Sequence, residues 1–461
     1  MRHKLLSLIL LFIVCLILVT CSGNKPENYL QEPQSEKILT IWWNRGYYPE
    51  QDEGLKKVVA EWQEKTDNKV ELLFFSEDDI LQAAIDALAT GKAPDILFSE
   101  RAEYTLIPQW ALAGKLLDVS DVIETVKNLY SDTALKSAYL YNNIESKYSN
   151  YAVPIMQESI HIHYWHDLIR DAGLGEEIPK NWDEFWQFWQ SAQKVLRQQN
   201  DSNIYTLGLP MSIDASDTYL IFEQMLETNN LQIINKQGKL QIDQPEIRQK
   251  LIEVLDWYTS FYKNGYVPPN AVNWLNYDNN TNFLNHKTLM TINPSMSIPG
   301  SQQEDEEIYL NQMRTIHFPT NPNGAESTYL VSVKQPVIFK SSAHPKRAKE
   351  FLSYLVQPDN LGPYIKGSRG RYFPIMPQLW KDPFWTNKKD PHISIASQQF
   401  TEDQTRLFDN SRSHAYSQVH SENIWSKAMQ QVLIEGLSPT EATDIAINRI
   451  KEIFSQWKTL S

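Results

Sequence analysis

Cysteine is almost missing from this chain. Only Cys15 and Cys21 occur among 461 residues. If the segment before Cys21 is removed and Cys21 is modified, the remaining body has no thiol at all. That excludes a disulfide framework, a cysteine metal site and a cysteine nucleophile. An excess of positive charge is missing too. Lys and Arg number 43 against 56 Asp and Glu, a formal net charge of −13. A general nucleic-acid binder needs a basic surface to displace counterions, so that class is excluded. There is no GxSxG, Walker A or CxxC motif, which leaves the common signatures of serine hydrolysis, nucleotide binding and thiol redox chemistry unfilled. No internal repeat is present.

What is there is an ordinary globular balance, with 42% hydrophobic and 21% charged residues. The length is about three times a ~150-residue domain, which suggests two lobes once the N-terminus is set aside. Aromatics are plentiful: 14 Trp, 22 Tyr and 17 Phe. Most belong to cores. Trp and Tyr also offer a flat apolar face with one polar handle, which suits sugar rings and ligands of mixed polarity.

The N-terminus carries Arg2 and Lys4, then a run of apolar residues from Leu5 to Val19 broken by one Ser. Such a run is short for a spanning helix and has the layout of an export signal. With Leu18 three positions ahead of Cys21, it resembles a bacterial lipoprotein signal. Thr20 stands where Gly, Ala or Ser is usual. The resemblance implies that residues 1–20 are removed and that Cys21 is lipidated. A plain secretory peptide or an uncleaved anchor are the alternatives. Residues 21–37, rich in Gly, Asn, Pro, Gln, Glu and Ser, read as a flexible tether.

From Ile38 the pattern changes. Ile38–Trp43, Val70–Phe75 and Ile96–Phe98 read as strands. Between them, Leu55, Val58, Val59 and Trp62 fall at helical spacing, and so do Leu81, Ala84, Ile85 and Leu88, ended by Gly91. Alternating strand and helix predict a parallel, helix-covered sheet. Such sheets bind ligands beyond the carboxyl ends of their strands. Here those ends are Trp43-Asn44, Ser76-Glu77 and Ser99-Glu100-Arg101. A second block opens at Tyr151. It has a strand around Ile160–Tyr164 and a capping box of Asn181 and Glu184 before the helical stripe Phe185, Phe188, Trp189 and Ala192. Residues 204–228 and 245–263 read as mixed α and β pieces, 264–282 as a loop, Thr288–Ile292 as a strand and Ile316–Phe318 as extended chain. NPNG marks a turn. Pro345 starts a helix containing Ala348, Phe351, Leu352 and Leu355. Ser438-Pro439-Thr440-Glu441 caps a last helix with a stripe at Ile445, Ala446, Ile450, Ile453 and Trp457.

These segments, in this order, resemble one family. LTIWWNRGYYPEQDEGLKKVVAEWQEKTDNKVELLFF followed by ATGKAPDILF is similar to the N-terminal lobe of extracellular solute-binding proteins of ABC importers, in the carbohydrate-binding, maltose-binding-protein-like class. YAVPIMQESIHIHYWHDLIRDAGL, IPKNWDEF, FLNHKTLMTINPSMSIP and SSAHPKRAKEFLSYLV continue the match to about Trp457. Three departures stand out. His286 replaces the family's Gly before Lys287, Met296 replaces a frequent Trp, and Ser327-Thr328-Tyr329 replaces a Gly-Gly.

The resemblance implies an α/β, two-lobed periplasmic-binding-protein fold. Each lobe is a sheet flanked by helices, and the ligand cleft lies between them. Lobe one would hold 38–156 and 318–370, and lobe two 157–317 and 371–461. It implies a substrate-binding lipoprotein that captures a sugar or oligosaccharide and delivers it to the transmembrane subunits of a permease. No bond is made or broken, and neither cofactor nor metal is needed. The protein would be a monomer outside the cytoplasm, held to the membrane by Cys21, with no nucleic acid among its partners. Carried over by motif position, the ligand-binding candidates are Trp43, Asn44, Tyr47, Glu100, Arg101, Glu158, Trp274, Asn293, Met296, Arg371 and Tyr372. Each also has a structural reading, as a core aromatic, a surface ion pair or a hinge cap. Asp95 reads as structural.

Other chemistry is weaker on the page. His161, His163 and His166 suggest a metal, since the first two share a strand face. No further ligand set accompanies them. Glu100 with Glu158 is a conceivable glycosidase pair, but no motif fixes it. A ligand-binding receptor lobe for a membrane sensor is a third reading.

Overall fold

Alternation along Ile38–Asn44 sets the first layer. In the computed structural model, which describes residues 38–199, 203–411 and 413–458, Leu39, Ile41 and Trp43 enter one apolar core. Trp42 turns to a smaller core on the opposite face, beside Leu97. Burial on both faces is what a parallel sheet covered by helices requires. Ile38–Asn44 pairs in parallel with Lys69–Phe75 and with Ile96–Phe98. Val337–Ile338 closes the edge in antiparallel. The helix Pro49–Thr66 buries Leu55, Val58, Val59 and Trp62. Asp95 ties this lobe together, accepting from Thr40 N at 2.9 Å and from the Ser342 hydroxyl at 2.5 Å.

The helix Glu77–Ala89 departs from its predicted stripe. It buries Ile80, Ala84 and Ala87 and leaves Ile85 exposed. The small core it meets, with Leu97 and Trp110, turns the helix so that Leu81 and Leu88 only flank the contact.

A second sheet runs in the order Met313–Ile316, His161–Trp165, Thr288–Asn293, Tyr205–Gly208. His161–Trp165 is antiparallel to both neighbours, and only the last pair is parallel. The helix Trp182–Gln198 covers it, capped by the Asn181 side chain, which accepts from Asp183 N and Glu184 N. The reciprocal arm of the expected capping box is absent from the bonds at this cap. The box does close at Ser438, whose N–H donates to Glu441 Oε2 at 2.9 Å while Glu441 N donates back to Ser438 Oγ at 3.2 Å. The segment 264–282, expected as a loop, contains a short turn at Ala271–Asn273 and the start of the helix Asp278–Leu284. That helix forms because Asn279, Asn280 and Phe283 are buried by tertiary contacts. The extended chain expected at Ile316–Phe318 overlaps a strand that begins three residues earlier, Met313–Ile316. His286 takes a φ of 54°, the region glycine favours, and its ring stacks 3.8 Å from that of Trp165.

Two antiparallel strands, Met156–Ser159 and Tyr329–Lys334, carry the chain between the sheets. Their side chains change core along the way. Met156 belongs to the first core while Ile160 belongs to the second, the one that the second sheet and the helix Trp182–Gln198 enclose. Tyr329 and Leu330 belong to the second core while Val331 and Val333 belong to the first. Phe318, expected in the first lobe, also lies in the second core. The expected return to the second lobe at Arg371 differs as well. Tyr372, Phe373, Ile375, Met376, Trp385, Ile393 and Ala396 lie in the first core, and Phe408 is in the second. A sequence pattern marks which residues are buried, not which of two cores takes them. Residues 1–37, including Cys15 and Cys21, lie outside the described residues, and so do 459–461. Among the described residues no helix is long and apolar enough to cross a membrane.

Candidate functional site

The carboxyl ends of the first sheet's strands face a cavity of about 310 Å³, near the lower end of the ~300–1,000 Å³ range of small-molecule sites. Tyr47 follows the first strand, Glu77 and Asp78 the second, and Glu100, Arg101 and Tyr104 the third. The crossover strands contribute Glu158 and Lys334. The second half supplies Asp214, Ser216, Asp217 and Leu220 around the start of the helix Ser216–Thr228. It adds Leu275, Asn276, Tyr277 and Asn280, then Asn293 to Ser295 and Ser297. Arg371 and Tyr372 complete the wall.

Buried ion pairs dominate its floor. Lys334 Nζ lies 2.6 Å from Glu103 Oε1, 2.6 Å from Glu158 Oε1 and 2.7 Å from the Glu100 carbonyl. Burial opposes the Lys334 charge, but Glu103 and Glu158 outweigh it and hold the ammonium pKa above its usual value. Tyr104 Oη donates to Glu158 Oε1 at 3.2 Å. Burial pushes the Glu103 carboxyl up to about 7 against the pull of Lys334. Arg371 Nη2 reaches Glu100 Oε2 at 3.0 Å, and its guanidinium lies 4.9 Å from the Tyr47 ring. Burial raises the Glu100 carboxyl despite Arg371. Arg101 pairs with Glu77; burial of Glu77 works upward, yet Arg101 and Arg371 leave its carboxyl below the usual value. Asp217 is pushed up to about 8, chiefly by burial, with Arg101 opposing.

The polar rim on the other side is built from amides. Asn276 Oδ1 accepts from Ser216 Oγ and from Asp217 N, both at 3.2 Å. Asn280 Nδ2 and Asn293 Nδ2 both donate to Ser297 Oγ at 3.1 Å. Asn280 Oδ1 and Arg371 Nε have no hydrogen-bond partner among the described residues. Two rings are open to the cavity, with Tyr47 46% and Tyr277 55% exposed. Unspent donors and acceptors beside exposed rings are what a hydroxyl-bearing ring compound uses.

Of the candidates read from sequence, the cavity wall brings together Tyr47, Glu100, Arg101, Glu158, Asn293, Arg371 and Tyr372. Four stand elsewhere. Trp43 is in the first core, its Nε1 donating to Tyr364 Oη at 2.9 Å. Asn44 is buried behind the wall and donates to the Arg45 carbonyl. Trp274 is in the second core, and the exposed ring is Tyr277, three residues on. Met296 is in the first core, while its neighbours Ser295 and Ser297 line the cavity. Sequence reading missed Lys334, Tyr104, Asp217, Asn276, Tyr277 and Asn280. Lys334 alone carried a signal, as the one charge in the apolar run Tyr329–Lys334.

The histidines sit apart from this wall. His163 Nδ1 is hydrogen-bonded to Thr315 Oγ1 at 2.9 Å, which is bonded to His392 Nδ1 at 2.8 Å. Burial pushes His163 and His392 down to about 3, so both rings are neutral. No group of side chains placed to hold a metal occurs among the described residues.

Comparison with known proteins agrees with this architecture. Residues 47–361 match the model of the bacterial extracellular solute-binding protein family. The chain is 19% identical over 435 residues to the multiple sugar-binding protein of Streptococcus mutans, covering 85% of this chain and 92% of that protein. In structure it is similar to an ABC transporter solute-binding protein of Thermotoga lettingae bound with α-D-tagatose. The TM-score there is 0.74, at 22% identity, over 90% of this chain and 99% of the other. A sugar transporter of Arthrobacter chlorophenolicus with bound laminaribiose gives a TM-score of 0.69, at 14% identity, over 90% and 99% of the two chains. The fold is therefore the two-lobed one of the periplasmic binding proteins. With the family model matching most of its length, this chain belongs to the bacterial extracellular solute-binding protein family.

Proposed function

We propose that this protein captures a sugar or short oligosaccharide in the cavity and delivers it to the membrane subunits of an ABC permease. The observation that carries the reading is the cavity wall itself. Exposed rings (Tyr47 and Tyr277) stand beside unspent polar groups on Asn280 and Arg371, drawn from both halves of the molecule. Residues 38–156 and about 331–396 act as one lobe, and 160–330 with 408–458 as the other. The strands Met156–Ser159 and Tyr329–Lys334 serve as the hinge. Ligand that touches both lobes binds the closed arrangement more tightly than the open one and shifts the population toward it. The wall residues bind and orient; Glu100 and Glu158 are counter-ions of Arg371 and Lys334, and neither breaks a glycosidic bond. Cys21 holds the protein to the outer face of a membrane, and the body works as a monomer.

A thermal-shift screen against mono-, di- and trisaccharides, polyols, amino acids and polyamines tests this. A ligand at ~100 times its dissociation constant adds ~2.7 kcal/mol of stability. A shift with one sugar class is expected. A shift confined to amino acids or polyamines refutes the sugar. For the anchor, Cys21→Ala is expected to release the protein from the membrane fraction, and unchanged retention rules out lipidation there.

A further inference from the structure

We propose that the ligand this cavity is built for is a sugar carrying an ammonium group, and that Asp217 is the residue that receives the ammonium. The proposal rests on the carbohydrate reading above and narrows it.

Carboxylates outnumber cations along the wall, six to three. Each cation is already matched. Arg101 pairs with Glu77, Arg371 with Glu100 at 3.0 Å, and Lys334 with Glu158 at 2.6 Å, with Glu103 behind it. A ligand that brings a carboxylate or phosphate finds no cation left over and meets surplus negative charge, which selects against it.

Asp217 is the reverse case. It is 9% exposed and lines the cavity. Its backbone N–H donates to Asn276 Oδ1, which fixes its place in the first turn of the helix Ser216–Thr228. Its carboxylate oxygens have neither a hydrogen bond nor an ion pair among the described residues. An unpartnered buried carboxylate costs several kcal/mol unless a cation or a proton neutralises it. Burial raises this carboxyl, with Glu77 and Glu158 adding to the effect and Arg101 and Arg371 opposing it. Asp214, exposed and on the same wall, has no ion pair among the described residues either. An ammonium supplies what is missing, since it has three donors and no acceptor. Its bond to a carboxylate is charge-assisted. The ligand's hydroxyls are left for Asn280 Oδ1 and Arg371 Nε, which with Glu100 Oε1 and Tyr372 Oη are unpartnered polar atoms of the same wall. An acidic cluster alone would be unremarkable; the buried carboxylate without a partner is what points to a ligand.

The test is titration calorimetry of the full-length protein in mild detergent, at about pH 6.5, where a sugar amine is charged. The probes are matched pairs: glucosamine against glucose, galactosamine against galactose, and the glucosamine disaccharide against cellobiose, with glucuronate as the anionic member. In at least one pair the amine is expected to bind at least about tenfold tighter than its neutral partner, with glucuronate weakest in its series. Asp217→Asn is expected to bring that pair within about threefold. If the neutral member binds as well or better in every pair, the ammonium is refuted and the carbohydrate reading stands. If the amine preference survives Asp217→Asn, the assignment of Asp217 is refuted. If no sugar of any kind binds, the carbohydrate reading falls and takes this proposal with it.

Discussion

Lys334 is held by three oxygens and is 2% exposed. Removing one member of a buried ion cluster leaves the others uncompensated, at about 3–5 kcal/mol. Lys334→Met should therefore lower the unfolding free energy at pH 7 by that amount, measured in urea. The deficit should shrink toward pH 5, because Glu103, whose carboxyl burial raises to about 7, then binds a proton and loses its charge. His163 acts through its own titration. Its folded pKa of about 3 lies below its unfolded value, so the unfolded chain binds more protons between the two. The stability from burying it neutral is complete above about pH 6.5 and is lost as pH falls toward 3. His392 behaves alike, while Glu103 and Asp217, raised to about 7 and 8, oppose them. The clean readout is a difference: His163→Gln should lose stability less steeply than the parent below pH 6, by up to ~1.4 kcal/mol per pH unit. Parallel curves would mean that His163 is not neutral when buried.

At the scale of elements, the segment from Trp274 to Leu284 separates structure from site. Trp274 is 2% exposed and Tyr277 is 55% exposed. Trp274→Ala should cost about 3–5 kcal/mol of stability through the cavity it leaves. Tyr277→Ala should change stability by less than about 0.5 kcal/mol, yet weaken binding of whichever sugar shifts the parent's melting. A similar loss of stability in both would remove Tyr277 from the proposed site. The sequence pattern placed a stacking ring at Trp274, which the fold buries, while Tyr277 faces the cavity. Three residues of separation in an irregular segment do not say which ring turns inward. Regular elements were more legible. The Ser438 box was readable because capping is local chemistry, and Ser438→Ala should cost about 1 kcal/mol in thermal unfolding.

On the scale of the whole molecule, the two halves touch beyond the hinge. Tyr48 Oη, after the first strand, donates to the Ser297 carbonyl, after the strand Thr288–Asn293, at 2.6 Å. Arg369 pairs with both Glu50 and Glu304. The Tyr48 contact requires Gly300, where an added Cβ would sit 2.5 Å from Tyr48 Oη. Gly300→Ala should push Tyr48 aside and weaken closure by about 1 kcal/mol, roughly fivefold in ligand affinity. Calorimetry with the sugar found in the screen measures it, and small-angle scattering should show a less compact average. Unchanged affinity would mean that this contact is not part of the closed state.

The sequence by itself determined the elements whose causes lie within a few residues. These include the two-faced first strand, the stripe Leu55 to Trp62, the caps at Asn181 and Ser438, and the strand ends where Tyr47, Glu100 and Arg101 now line a cavity. The motif order also carried the family, because a family is a linear pattern. What only the tertiary structure decided depends on residues far apart in the chain. Arg371 meets Glu100, and Lys334 meets Glu103 and Glu158, across more than one crossing between the sheets. Trp43 and Met296 were drawn into a core because the partners that bury them come from distant segments. Asp217 matters for the same reason. Its carboxylate is ordinary in the sequence and becomes the proposed ammonium site only because folding buries it on a cavity wall without an ion pair among the described residues.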